Sequence, residues 1–222
     1  MRGNEARHLT RVLRVEPGQR YEISDNTSAW LAEVQEARGE HVVFRVLEPL
    51  DTRPLPVHIT LFAALIKFDR FEWIVEKATE LGVERIVPVE TTRVEKGLFE
   101  ASRKRAERWE RIARESSQQS RRVDVPEIAS AVKLSVAAAE PAEHRYFLEE
   151  SSAPSLTACL PQERAAGVNV ALLLGPEGGW TNAERELAAT AGWQAVSLAP
   201  QILRAETAAA AAIAIVLNAW MQ

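Results

Sequence analysis

The stretch Leu172-Leu173-Leu174-Gly175-Pro176-Glu177-Gly178-Gly179-Trp180 decides the fold. The apolar run Val168 to Leu174 reads as a strand covered on both faces, as in a parallel sheet. Gly175, Gly178 and Gly179 allow a close backbone approach that a Cβ would block, and Pro176 stiffens the turn. Thr181 is placed to cap a helix, with Glu184 three residues on completing a capping box. Strand, glycine-rich loop and helix start form an α/β pattern, and in open α/β sheets ligands sit beyond the carboxyl ends of strands. Glu177, an acid in a rigid loop, can accept hydrogen bonds from a ligand's polar end; the alternative is an ordinary strand-to-helix turn. The spacing is not Gly-x-Gly-x-x-Gly and no Walker lysine follows, which disfavours a phosphate cradle.

A second stretch, Ser197-Leu198-Ala199-Pro200-Gln201-Ile202-Leu203-Arg204-Ala205-Glu206-Thr207-Ala208, repeats the plan. The strand Ala195 to Leu198 leads to a loop, then to a helix of Ala, Ile, Val and Leu, and a helix apolar all round is expected to be buried. Arg204 and Glu206 at its mouth cost free energy unless paired or used. A structural ion pair with a cap is the plain alternative. Two such loops close in sequence suggest one pocket with two walls.

Gly175–Gly179 and Ile202–Ala208 resemble the Gly-Pro-Glu-Gly-Gly and Ile-Leu-Arg-x-Glu-Thr-Ala motifs of the RsmE family, SPOUT-class methyltransferases. That resemblance implies methylation of N3 of a uridine in the decoding region of 16S ribosomal RNA, with S-adenosylmethionine as donor. It implies a SPOUT α/β trefoil-knot domain preceded by a small PUA-like β-barrel, and a homodimer with the site at the interface. Cofactor contacts are then expected from Leu174, Gly175, Gly178, Leu198, Ile202 and Leu203. Arg204 is expected to stabilise charge spreading onto the uracil oxygens, with Glu177 or Glu206 taking the N3 proton or holding Arg204. The sequence departs from the family at Ala199 (usually Gly), Gln201 (usually Arg) and Gln118 (usually Glu).

Upstream, His8-Leu9-Thr10-Arg11-Val12-Leu13-Arg14 resembles the family's amino-terminal motif, implying phosphate contacts from His8, Arg11 and Arg14. Runs at 21–24, 29–34 and 41–46, separated by turn residues, suggest a barrel of five or six short strands over residues 1–48. Residues 49–57, rich in proline, read as a stiff linker to a second domain over 58–222. There, His58 to Ala64, a helix capped by Asp69 and ended by Gly82, and Arg85 to Val89 form a β-α-β unit. By the same resemblance, Lys67, Arg93 after that strand, and Arg122 at the end of a long helix from Arg105 are further candidates for the RNA side, Arg122 alternatively for an active-site hydrogen bond.

The 222 residues, 46% hydrophobic, can bury a sizeable core, and the single Cys159 excludes an internal disulfide and a cysteine-rich metal site. No metal is expected. The first seven residues lack a signal-peptide core, and Ala208 to Leu217 is too short to span a bilayer, so a cytoplasmic protein is expected. Net charge is −4, yet residues 1–20 carry +3 and residues 101–122 carry +5. Basic segments on an acidic body suit local RNA binding, or else a solvated, ion-paired helix face. A module that only holds RNA, and a nucleotide-dependent α/β enzyme, are the rival readings.

Overall fold

A computed structural model of the chain describes residues 1–52, 54–150 and 152–222; Arg53, within the expected linker, and Ser151 lie outside that description. The chain divides into two units, Met1–Pro54 and Leu55–Gln222. The expected linker overlaps regular structure at both ends, since a strand runs to Pro49 and the next begins at Val57.

The first unit holds helix α1 (Asn4–Arg11) and strands β1 (Arg20–Ser24), β2 (Ala29–Arg38) and β3 (His41–Pro49). The strands form one antiparallel sheet in the order β1-β2-β3. Three strands are found among the described residues instead of five or six, because β2 and β3 are long and residues 4–11 are helical. Ala6 and Leu9, three apart, share a helix face. They pack with Val15, Val34 and Val42 in a small core. His8 and Arg11 on α1, and Arg14 beyond it, are exposed.

The second unit runs β4 (Val57–Ala64), α2 (Phe68–Glu80), β5 (Arg85–Glu90), α3 (Leu98–Ser102), α4 (Ala106–Gln119), β6 (Glu127–Ile128), β7 (Val132–Lys133) and α5 (Leu134–Ala139). It continues with β8 (His144–Leu148), α6 (Leu156–Cys159), β9 (Val168–Leu174), α7 (Asn182–Thr190), β10 (Gln194–Val196) and α8 (Ala205–Trp220). Its sheet is parallel throughout, in the order β10-β8-β9-β4-β5-β6, with β7 also on β5. Side chains alternate across the pleat. Val170, Leu172 and Leu174 enter the core shared with α2, α4 and α8, while Ala171 and Leu173 enter the core shared with α5 and α7. Being covered on both faces is why β9 reads as an unbroken apolar run. As expected, Thr181 caps α7 and Glu184 completes the box.

Four expectations change. Asp69 does not cap α2: the N-cap is Lys67, without a side-chain bond, and Asp69 sits in the first turn, where an acid still favours the helix dipole. The long helix ends at Gln119, and Arg121 takes a positive φ of 57°. Arg122 then turns inward: its guanidinium donates to the carbonyls of Thr79 (2.7 Å) and Val83 (3.0 Å) and pairs with Asp124 (2.6 Å). With 9% of its side chain exposed, Arg122 satisfies carbonyls around the end of α2 and is no phosphate contact. Lastly, α8 is not buried all round. Ala205, Ala209, Ala212, Ile213, Val216 and Trp220 face the core, whereas Thr207, Ala214 and Asn218 are exposed.

Candidate active site

At the carboxyl ends of β8 and β9, the two loops picked out in the sequence line one cavity of about 250 Å³. One wall is the loop after β9, with Leu174, Gly175, Pro176 and Glu177; the other is the loop after β10, with Leu198, Ile202, Leu203 and Arg204. Of the residues expected at the site, Leu174, Gly175, Leu198, Ile202, Leu203, Glu177 and Arg204 line this cavity together. Gly178 and Glu206 are not among its lining residues.

Trp180 fixes the first wall. Its ring is 2% exposed, stacks on Phe147 with centroids 4.5 Å apart, and donates from Nε1 to the Leu148 carbonyl at 2.9 Å. A Cβ at Gly175 would lie 2.8 Å from that ring, so the chain can pass over Trp180 only as glycine. Gly179, at φ +69°, makes the turn into the helix.

Charged groups hold the loop from outside. Arg70, on α2, forms an ion pair with Glu177. Arg93, after β5, donates to the carbonyl of Gly178, and its side chain lies against that residue. Gly178 therefore serves as a bracing point. The Glu184 carboxylate accepts from the Thr92 N–H (2.7 Å), the Thr181 N–H (2.8 Å) and the Thr181 hydroxyl (2.9 Å). Burial alone would raise its pKa, but these hydrogen bonds outweigh it and hold the carboxyl below its ordinary value. Glutamate 184 thus ties the segment after β5 to the start of α7.

Sequence reasoning missed the acidic wall. Glu149 and Glu150, directly after β8, line the cavity. Glu149 is buried and takes Arg185 Nε at 2.5 Å and Nη2 at 3.0 Å, while Arg185 Nη1 donates to the Trp180 carbonyl. The hydrogen bonds from Arg185 to Glu149 push the arginine's pKa further up. The rule that ligands gather beyond strand ends applies to β8 as well as β9 and would have found this pair. Arg70 carried no such signal, because a charged residue in a first helical turn is ordinary.

The catalytic candidates separate. Arg204 is the N-cap of α8, exposed, and makes no ion pair among the described residues. Glu177 pairs with Arg70 and not with Arg204, because α2 brings a nearer cation. Glu206 is half-buried, and its Oε2 atom is enclosed without a partner among the described residues. Lys67 and Arg93 are exposed; His8, Arg11 and Arg14 belong to the first unit. Among the described residues no group of His, Cys, Asp and Glu could hold a metal ion. Among the described residues no helix is long and apolar enough to cross a membrane.

The cavity offers apolar walls, with Ile202 77% exposed at its edge, facing carboxylates on the β8 side. A cationic ligand with a flat apolar part matches that lining: the flat part against Leu174, Leu198 and Ile202, the cation toward Glu150, since Glu149 is already paired with Arg185.

Comparison with known proteins agrees. Residues 53–217 match the model of an RNA methyltransferase domain, and residues 2–47 that of an RNA methyltransferase PUA domain. The chain is 34% identical to the ribosomal RNA small subunit methyltransferase E of Synechocystis, over 93% of this chain and 68% of that one. It is 31% identical to the Bacillus subtilis protein of the same name, over 93% and 84%. A crystal structure of the Neisseria gonorrhoeae ribosomal RNA small subunit methyltransferase E, bound to S-adenosyl methionine, superposes with a TM-score of 0.86 at 29% identity. It covers 99% of this chain and 91% of that one.

Proposed function

Because the chain belongs to the ribosomal RNA small subunit methyltransferase E family, we propose that it methylates N3 of one uridine in the decoding region of 16S ribosomal RNA. It is an S-adenosylmethionine-dependent methyltransferase of small-subunit ribosomal RNA, not the RNA-holding module or nucleotide-dependent enzyme considered as rivals. The single observation that carries the site assignment is the convergence of both carboxyl-terminal loops on one cavity with Arg204 in its wall.

Leu174, Gly175, Leu198, Ile202 and Leu203 are the residues proposed to hold the cofactor, with Glu149 and Glu150 opposite. When bound there, S-adenosylmethionine supplies a methyl group on a sulfonium, already activated for displacement. The chain's own task is to orient the uracil and favour loss of its N3 proton. Arg204, exposed and uncommitted, donates to the uracil oxygens as negative charge spreads onto them. Glu206, which does not line the cavity and whose Oε2 is enclosed without a partner among the described residues, is proposed to steer Arg204 and not to take the proton itself. Glu177, engaged by Arg70, holds the loop and takes no proton. The target base must be unpaired or flipped to reach the site.

His8, Arg11, Arg14, Lys67 and Arg93 are the proposed RNA contacts, all exposed. A trefoil knot formed by the carboxyl-terminal segment, a cytoplasmic location and a homodimer complete the proposal. Exposed Ala214, with half-buried Ala210 and Ala211 on α8, would let a second helix approach closely. Titration calorimetry with S-adenosylmethionine, run beside a methylation assay on unmethylated small subunits, tests the roles. Arg204→Ala should bind cofactor within about threefold of the parent and lose at least about a hundredfold in rate. Equal loss of both would make Arg204 structural.

A further inference from the structure

We propose that Arg185 is a positioning residue for the cofactor cavity, a clamp between the loops after β8 and β9 that sets the opening into which the cofactor fits. The inference deepens the methyltransferase reading and rests on it for the identity of the ligand. The need for a clamp follows from the sheet. Strands β8 and β9 are neighbours, and their pairing ends at Phe147 with Leu173. Past the strand ends, residues 148–150 of one chain segment and 174–177 of the other line the cavity. Among the described residues no backbone hydrogen bond joins residues 149–150 to residues 175–180. Side chains must therefore set the gap.

Arg185, on α7, reaches both loops. Its Nε and Nη2 donate to the two carboxylate oxygens of Glu149 at 2.5 and 3.0 Å, and its Nη1 donates to the Trp180 carbonyl at 2.8 Å. The Glu149 side chain is 5% exposed, so its charge would be costly there without the guanidinium. The same carboxylate accepts the Glu150 N–H at 3.0 Å and so fixes the backbone that carries Glu150. From the other side, Trp180 donates to the Leu148 carbonyl and packs beneath Gly175. These bonds close a ring through Leu148, Glu149, Arg185 and Trp180.

The residue type matters. A planar guanidinium can hold a carboxylate with two parallel bonds and still spare a donor for the carbonyl. A lysine ammonium supplies the charge at one point and cannot make all three bonds of this geometry. Losing the fork frees both loops at once. Glu150, whose side chain lies over Gly179, then leaves its place opposite the apolar wall. Arg204 stands in the loop after β10, which the clamp does not touch. Cofactor binding should therefore suffer, and the transfer step from a filled site should not.

The test compares Arg185→Lys and Arg185→Ala with the parent, as full chains. Without cofactor, amide hydrogen exchange at residues 175–180 should quicken at least about tenfold in both variants, because local opening no longer breaks the clamp. Calorimetry should show both binding S-adenosylmethionine at least about tenfold more weakly, the scale of one charged hydrogen bond. On unmethylated small subunits, KM for the cofactor should rise in step while kcat at saturation stays within about threefold. A lysine variant that matches the parent in exchange and affinity would overturn the proposal, since charge alone would then suffice. So would variants that melt earlier with exchange and affinity unchanged, because Arg185 would then be merely structural. If the alanine variant fails to fold with Glu149 left unpaired, the lysine variant decides. A parent chain that does not bind S-adenosylmethionine would count against the methyltransferase reading instead, and the exchange measurement would still judge the clamp.

Discussion

Glu184 shows how a residue outside the chemistry shapes the site. It is 6% exposed, yet its carboxylate collects hydrogen bonds from Thr92 and Thr181. Its pKa in the folded chain lies below 4.5, the value expected when unfolded. A depressed carboxyl contributes stability above the unfolded pKa and loses it as pH falls through the folded one. Glu184→Gln should therefore destabilise the chain by about 1–3 kcal/mol at neutral pH. Thermal melts at neutral pH and well below pH 4.5 check this: the gap between parent and variant should close in acid. A gap that stays constant would mean the charge is irrelevant. The capping role of Glu184 was legible, because Thr181 and Glu184 stand at the required spacing. Its bond to Thr92, 92 positions away in the chain, was not, since no local pattern encodes a contact across the sheet.

At the scale of elements, the strand-loop-helix units were read well where burial dictates composition. The strand Val168 to Leu174 was legible because both its faces are covered, and the start of α7 because its cap is local. Charged helices were read less well. The basic segment 101–122 divides its charge among partners: Arg105 and Arg108 pair with Glu72 on α2, Arg111 with Glu115, and Arg103 with Glu100. The partners outside the segment, Glu72 and Glu100, offset two of its five net charges. Arg122 illustrates the limit most clearly. The same residue type in the same motif could serve RNA or close a helix end, and only the positions of the Thr79 and Val83 carbonyls decide. Arg122→Ala should cost about 2–3 kcal/mol of stability, from loss of charged hydrogen bonds. RNA affinity measured against salt should keep its slope, because no phosphate contact is removed. A flatter slope with unchanged stability would return Arg122 to the RNA side.

For the molecule as a whole, a net charge of −4 conceals a division of labour. The first unit presents His8, Arg11 and Arg14 on its surface, while the second carries the cavity, its acidic wall and Arg204. The family motifs located both cavity loops, since they encode backbone shape at Gly175 and the approach to α8. They did not reveal Glu149, Glu150 or Arg70, whose roles arise only when three elements meet. The Ala199 and Gln201 departures both fall in the cavity wall. Under the proposed function, this cavity delivers a methyl group to one uridine N3 of small-subunit RNA. Small subunits from cells lacking the gene, incubated with the purified chain and deuterated-methyl S-adenosylmethionine, can be digested to nucleosides and analysed by mass spectrometry. Label is expected in 3-methyluridine alone, and is expected to be absent with the Arg204→Ala chain. Label on a ribose or another base, or undiminished 3-methyluridine with that variant, would contradict it.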